Sequence, residues 1–218
     1  MTTTFAATEQ NRVNRHSERG RYDKDEIYPI IDEALICHVG IVADGQPFVI
    51  PTIHARLGDT LFLHGAVASR LLRHIRAGNF ICAEFTLLDG IVFARSVFNH
   101  SMNYRSAVLF GLGRLVEDDS EKMSALEAIT EHIAKGRWAE ARLPTRKELA
   151  ATLVVAVPID SASAKVRSGP PGDDEEDLSF PVWAGVLPFR RQTLPPLPDP
   201  KMTAPIALPH YIADYRRE

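Results

Sequence analysis

Ser69-Arg70 is the pair in this sequence best placed to hold an anion. It follows Leu63-His64-Gly65-Ala66-Val67-Ala68, where an apolar run gives way to small residues. It precedes Leu71, Leu72 and Ile75, which fall on one side of a helix, and Gly78, which ends it. A helix N-terminus presents free N–H groups and a partial positive charge. A hydroxyl and a guanidinium beside it make a phosphate cradle of Ser69 and Arg70. The same spacing also describes a solvated helix with a serine cap, whose wet face is Arg70, Arg73 and His74.

A second cluster is His100-Ser101-Met102-Asn103-Tyr104-Arg105-Ser106, set between two apolar runs. An unpaired buried polar group costs about 1–3 kcal/mol, so such a cluster is either a surface loop or one wall of a ligand site. Tyr104-Arg105 leads straight into the next strand, where side chains must point at something, and that favours the wall. In Phe48–Arg56, Pro51 cannot donate to a strand ladder, so its strand is expected at an edge or locally unpaired. Backbone groups freed there could bond a flat heterocycle, while Thr52, His54 and Arg56 alternate onto one face. Trp183, within Phe180–Pro188, lies beside residues small enough to admit something flat, although a tryptophan in an apolar strand is more often core.

Other chemistries lack their residues. The eight histidines show no metal-ligand spacing with Cys37 and Cys82, so no metal site is expected, and both cysteines read as inert core thiols. No Gly-x-Ser-x-Gly elbow, phosphate-binding P-loop or Gly-x-Gly-x-x-Gly fingerprint occurs. A net charge of -3 exerts no long-range pull on nucleic acid or an anionic membrane, so any anion must be captured by a few placed cations. The polar start carries no apolar signal core and no run approaches a membrane span, which leaves a cytoplasmic protein as the expectation.

The elements that must position these residues read mostly as strands. A helix is expected from Tyr22, with Ile27, Ile30, Ile31, Ala34 and Leu35 inward. Strands follow at Cys37–Val42, Phe48–Arg56, Thr60–His64, Ile81–Leu88, Ile91–Phe98 and Ser106–Val116, with Asp89-Gly90 as a hairpin turn. Six strands before residue 120, mostly joined by hairpins, favour an antiparallel barrel, and Gly111 with Gly113 suits its sharp closing bend. Helices are expected at Ser120–Ala134 and after Thr145, which has capping-box form, and strands at Thr152–Pro158 and Val182–Arg191. Residues 1–18 read as a flexible lead-in, 19–191 as the domain and 192–218 as a proline-rich tail draped over a surface of its own or a partner's.

The order of Pro51-Thr52, Leu63-His64-Gly65 with Ser69-Arg70, Asp89-Gly90, Asn103-Tyr104-Arg105-Ser106, Ser163–Pro171 and Trp183-Ala184-Gly185-Val186 resembles the pyridoxamine 5′-phosphate oxidase-like flavin-binding split barrels. Within them it is most similar to the branch of nitroimidazole-resistance and flavin-nucleotide-binding proteins. The resemblance implies a mainly β fold, a six-stranded antiparallel Greek-key split barrel, forming a homodimer with two FMN molecules at the subunit interface. FAD, deazaflavin or haem are the alternative cofactors in such barrels. It implies that Pro51, Thr52 and Ile53 line the flavin ring, and that His64, Gly65, Ser69 and Arg70 surround its phosphate. Asn103, Tyr104, Arg105, Ser106 and Trp183 would complete the pocket, some of them from the second subunit. The implied activity is flavin-dependent reduction of a small acceptor, such as a nitroaromatic, by a nicotinamide donor. A non-catalytic flavin or haem carrier is the alternative. Where pyridoxamine phosphate oxidases carry a basic strand motif, this chain has Ile50-Pro51-Thr52-Ile53-His54-Ala55, which points away from that substrate.

Overall fold

The computed structural model describes residues 3–216 of the 218-residue chain. After the two-residue strand β1 (Gly20–Arg21) comes helix α1 (Lys24–Glu33), which buries Ile27, Ile30 and Ile31 as the periodicity predicts. Each such burial is worth about 1.5–3 kcal/mol, enough to hold a ten-residue helix containing Pro29. The hairpin β2 (Ile36–Ala43) and β3 (Gln46–Leu57) turns at Asp44-Gly45, both with positive φ, as a two-residue turn requires. Next come β4 (Thr60–Ala66), α2 (Arg70–Arg76), β5 (Phe80–Phe93), β6 (Ser101–Leu112) and β7 (Arg114–Leu115). Helix α3 (Asp119–Ile133) and the short α4 (Arg137–Glu140) and α5 (Arg146–Ala151) lead into β8 (Thr152–Pro158) and β9 (Ser161–Arg167). Strand β10 (Gly185–Pro188) and the single turn α6 (His210–Ala213) complete the chain.

The strands form one antiparallel system in the order β1-β9-β6-β5-β2-β3-β4-β8-β7, with β10 on the free side of β5. This is a split barrel: it curls round a core of Ile27, Ile31, Val39, Leu61, Leu63, Ile75, Phe85 and Leu109 without closing. A second cluster, with Phe62, Ala125, Ile129 and Val154, seats α3 against the outside of β4 and β8. Gly113 sits where the chain turns from β6 to β7, and a Cβ there would stand 2.4 Å from Ile75 Cγ2. The sharp bend expected at Gly111 and Gly113 is thus a close approach that only glycine allows.

Several expectations change. Asp89-Gly90 is not a hairpin turn but a bulge inside one continuous fourteen-residue strand, β5. At this bulge β5 exchanges its neighbour β2 for β10. Gly90 is needed because a Cβ would lie 2.7 Å from the Leu187 carbonyl oxygen. The true hairpin follows at residues 94–100, so Ser101–Ser106 is strand and not loop. The whole sheet counts ten strands, because Gly20–Arg21, Arg114–Leu115 and Ser161–Arg167 also pair while Ile81–Leu88 and the start of Ile91–Phe98 merge into β5, and the last strand is only Gly185–Pro188. The expected lead-in packs on the domain from Thr3 onward. Phe5 enters the core, and Asn11, 2% exposed, donates to the Ala6 and Ala162 carbonyls. Met1 and Thr2 lie outside the described residues, as do Arg217 and Glu218 of the tail.

Candidate functional site

Strand β3 is paired with β2 along residues 46–53, but with β4 only from His54 to Leu57. Beyond the His54–Leu63 pair, β4 continues against β8 alone, so β3 and β4 part company. The strand edge carrying Pro51, Thr52 and Ile53 therefore lies open on that side, as a residue without an N–H predicts. His64 and Gly65 stand on the other lip of the split.

Helix α2 closes its upper end. Ser69 caps the helix, its hydroxyl accepting from the Leu72 N–H at 3.4 Å. The Arg70 guanidinium lies 4.1 Å above the ring of Phe48, tying α2 back to β3. A cation over an aromatic face is worth about 0.5–1 kcal/mol at an exposed site, so this contact positions the charge without immobilising it. His64 is half-buried with its Nδ1 sealed from solvent and without a hydrogen-bond partner. Burial holds its pKa below the ordinary imidazole value, so the ring is neutral at physiological pH. A buried ring nitrogen without a partner is a group that a ligand can complete. The structure thus places Pro51, Thr52 and Ile53 on the free edge of β3, His64 and Gly65 on the stretch of β4 beyond its pairing with β3, and Ser69 and Arg70 at the start of α2, with Arg70 reaching Phe48 of β3.

The second set lies elsewhere. Asn103, Tyr104, Arg105 and Ser106 are on β6, three places from β3 in the sheet. Asn103 is buried, donates to the Gly169 carbonyl at 3.1 Å and accepts from Arg167, pinning the loop after β9. Ser106 bonds the Lys165 carbonyl at 3.3 Å, and Tyr104 stands opposite Leu88. Arg105 is spent on carboxylates: it pairs with both oxygens of Asp89 and both of Glu33. Hydrogen bonds to Asp89, then to Glu33, raise its pKa further. Its donors hold β6, the bulge of β5 and the end of α1 together. Trp183 is 68% exposed, edge-on to Phe93 at 6.0 Å, with Phe180 and Phe98 also standing out. It is not core.

Phe48, Glu33 and Asp89 were missed as participants. Phe48 was legible in principle, as the aromatic three residues before Pro51. Glu33 lies 72 residues from Arg105 and carried no local signal. Two further rings, buried His54 and half-buried His132, meet at a tilt with centroids 4.7 Å apart and bond the Ile31 and Ala34 carbonyls, so they serve the end of α1. Among the described residues no group of three or more His, Cys, Asp or Glu side chains gathers as a metal site, and no helix is long and apolar enough to cross a membrane.

No curated protein matches the chain by sequence. The family described as pyridoxamine 5′-phosphate oxidase matches residues 23–166. Among solved structures, the flavocytochrome Anf3 from Azotobacter vinelandii is 40% identical with a TM-score of 0.92, covering 98% of this chain and 100% of its own. The FAD and heme binding protein from Mycobacterium smegmatis is 38% identical, TM-score 0.86, covering 90% and 96%. A protein from Bacteroides thetaiotaomicron, assigned provisionally to 5-nitroimidazole antibiotic resistance, is 30% identical over 66% of this chain and 84% of its own, with a TM-score of 0.56. Matching strand order, an open barrel and these identities together place the chain in the pyridoxamine 5′-phosphate oxidase family of split-barrel proteins.

Proposed function

We propose that this protein binds a flavin in the split between β3 and β4 and works as a flavin-dependent redox protein. The observation that carries the reading is where β3 leaves β4: the Pro51–Ile53 edge is unpaired on that side, His64 just beyond the last pair keeps a buried Nδ1 without a partner, and Arg70 at the start of α2 stands over Phe48 of the same β3 strand. In this reading the ring lies along Pro51–Ile53, where free backbone groups bond its polar edge. The phosphate sits between the Ser69 hydroxyl, Arg70 and His64. A bound flavin supplies hydride and single-electron transfer, chemistry no side chain here can perform. The protein's part is to orient the ring, neutralise the phosphate and shield one face from water. The reaction proposed is transfer from a nicotinamide donor to a small acceptor.

A homodimer is part of the proposal. Val42, Val49, Phe80 and Leu112 are exposed on the outer face of β2, β3, β5 and β6, and contiguous exposed apolar side chains of this kind suit an interface. A second copy covering it would bring its own Trp183 and Asn103–Ser106 region near the first copy's split.

A second reading adds haem, making the protein a flavocytochrome. It is favoured by the 40% identity to Anf3 and by a cavity of about 480 Å³ walled by Val42, Phe48, Val49, Phe80 and Phe110, with His74 on its border. Apolar walls with one imidazole suit a haem, and His74 would be the residue to ligate it. The Cys82 thiol borders the same cavity, but burial and Glu84 raise its pKa and disfavour the thiolate.

The absorption spectrum of the purified protein, followed by anaerobic stopped-flow mixing with NADH and NADPH, tests both readings. Flavin bands that bleach on mixing are expected, with a Soret band if haem is present. A protein that stays colourless after incubation with FMN and FAD overturns the flavin reading.

A further inference from the structure

The hairpin between β5 and β6 ends in Val97-Phe98, whose side chains are 87% and 91% exposed. The loop that presents them is not slack. The Ser96 hydroxyl accepts from the Phe98 N–H at 3.2 Å, and His100 Nδ1 donates to the Ser96 carbonyl at 2.9 Å. At the base, the buried Asp173 carboxylate accepts from the Arg95 N–H at 2.7 Å and from its guanidinium at 2.8 Å. Asn99 donates to Asp174 at 3.3 Å. The Phe93 ring continues the surface, meeting both His100 and the exposed Trp183 at 6.0 Å. A braced loop that holds a phenylalanine in water near an exposed tryptophan presents an anchor. Large aromatic side chains at the centre of an interface supply much of its affinity.

Charge indicates what receives the anchor. From Pro170 to Phe189 the chain carries five carboxylates and no Lys, Arg or His. Asp173 and Asp174 are taken by Arg95 and Asn99, but Glu175, Glu176 and Asp177 meet no cation among the described residues. From Thr60 to Ala83 the reverse holds, with three arginines and no carboxylate. Arg73 and Arg76, one turn apart on the exposed side of α2, have no ion pair among the described residues. Exposed Val67 and Phe80 flank that helix in sequence. An acidic platform with an apolar knob and a basic helix with apolar flanks are complementary, and one chain carries both. A two-fold pair of chains covers both surfaces of both copies at once. A foreign partner on the platform would leave α2 bare.

We infer that Phe98 and the acidic turn Glu175–Asp177 of one copy dock on the Arg73–Arg76 face of α2 in a second copy. This rests on the homodimer reading above and names the surfaces that meet; it does not depend on the flavin. The aromatic anchor supplies affinity. The charges set the register, because an exposed ion pair contributes little while like charges facing each other across an interface are strongly disfavoured.

Sedimentation velocity over a dilution series of the full chain tests this with wild type, Phe98→Ser, Glu175→Lys/Glu176→Lys and Arg73→Glu/Arg76→Glu. None of these side chains makes a hydrogen bond or ion pair among the described residues. Wild type is expected to be a dimer, and each variant to lose at least tenfold in dimer affinity. An equimolar mixture of the two charge-reversed variants should recover most of the wild-type affinity, because every contact again joins opposite signs. A folding defect cannot produce that recovery. A wild type that stays monomeric overturns this inference and the homodimer reading together. A dimer that all three variants leave unchanged spares the homodimer reading and overturns this one. Weakening by Phe98→Ser alone, or a mixture that fails to recover, overturns α2 as the receiving face.

Discussion

Asp89, the bulged residue of β5, grips the guanidinium of Arg105 on β6 through two hydrogen bonds of 3.0 and 2.9 Å. Glu33 accepts from Nη1 and Nη2 at the end of α1, so one arginine joins three elements that are far apart in sequence. Arg105→Ala is expected to destabilise the fold by about 1.5–3 kcal/mol, since two partly buried carboxylates lose a charge-assisted partner. Arg105→Lys should recover only part, because an ammonium cannot fork between two carboxylates. Urea denaturation of the three proteins measures this.

Gly90→Ala places a methyl 2.7 Å from the Leu187 carbonyl oxygen and 3.1 Å from Pro188 Cα, both backbone. Strand β10 must then lift from β5. A loss of about 1–3 kcal/mol is expected. Faster proteolysis near residues 185–188 should accompany it, whereas intact protection there would show that the contact yields freely.

Removing Arg70 tests the split as a phosphate site. Arg70→Ala should weaken flavin binding about tenfold or more, the worth of a charge-assisted hydrogen bond. Thermal stability should fall by no more than the roughly 0.5–1 kcal/mol of its contact with Phe48. Equilibrium flavin titration and a melting curve separate the two effects.

The His64 ring links stability to pH. Burial depresses its folded pKa, so the unfolded chain takes up a proton first as pH falls. Stability present above about pH 6.5, the unfolded value, is therefore lost progressively below it, until the folded ring also titrates. His64→Gln should flatten the melting temperature between pH 7 and 5 relative to wild type.

The surface carboxylate of Glu148 gives the opposite end of the range. The Arg142 guanidinium and the Thr145 backbone and hydroxyl hold its pKa at about 2, so its help to the start of α5 persists above the ordinary carboxylate range and disappears as pH falls toward 2. Carboxyl titration by NMR reads this directly, and Glu148→Gln should abolish it.

Features set by near neighbours in the chain were legible without a structure. The inward face of α1, the Ser69 cap and the Thr145–Glu148 capping box each depend on residues three or four apart. Pro51 declared its open edge because a missing N–H is a property of the residue itself. The start of α2 at Ser69-Arg70 was legible for the same reason, these residues being consecutive along one strand-to-helix turn.

What the neighbours of a strand are is decided by packing. Asp89-Gly90 has the composition of a tight turn, yet it is a bulge, because β10 arrives from nearly a hundred residues away to pair with Gly90 and Arg105 captures Asp89. Only the tertiary structure could spend Arg105 on Glu33 and Asp89, leave Trp183 on the surface, and leave Arg73 and Arg76 without a carboxylate among the described residues. Local rules choose helices, caps and turns; long-range contacts choose which charges meet. That choice separates the paired arginine from the free ones.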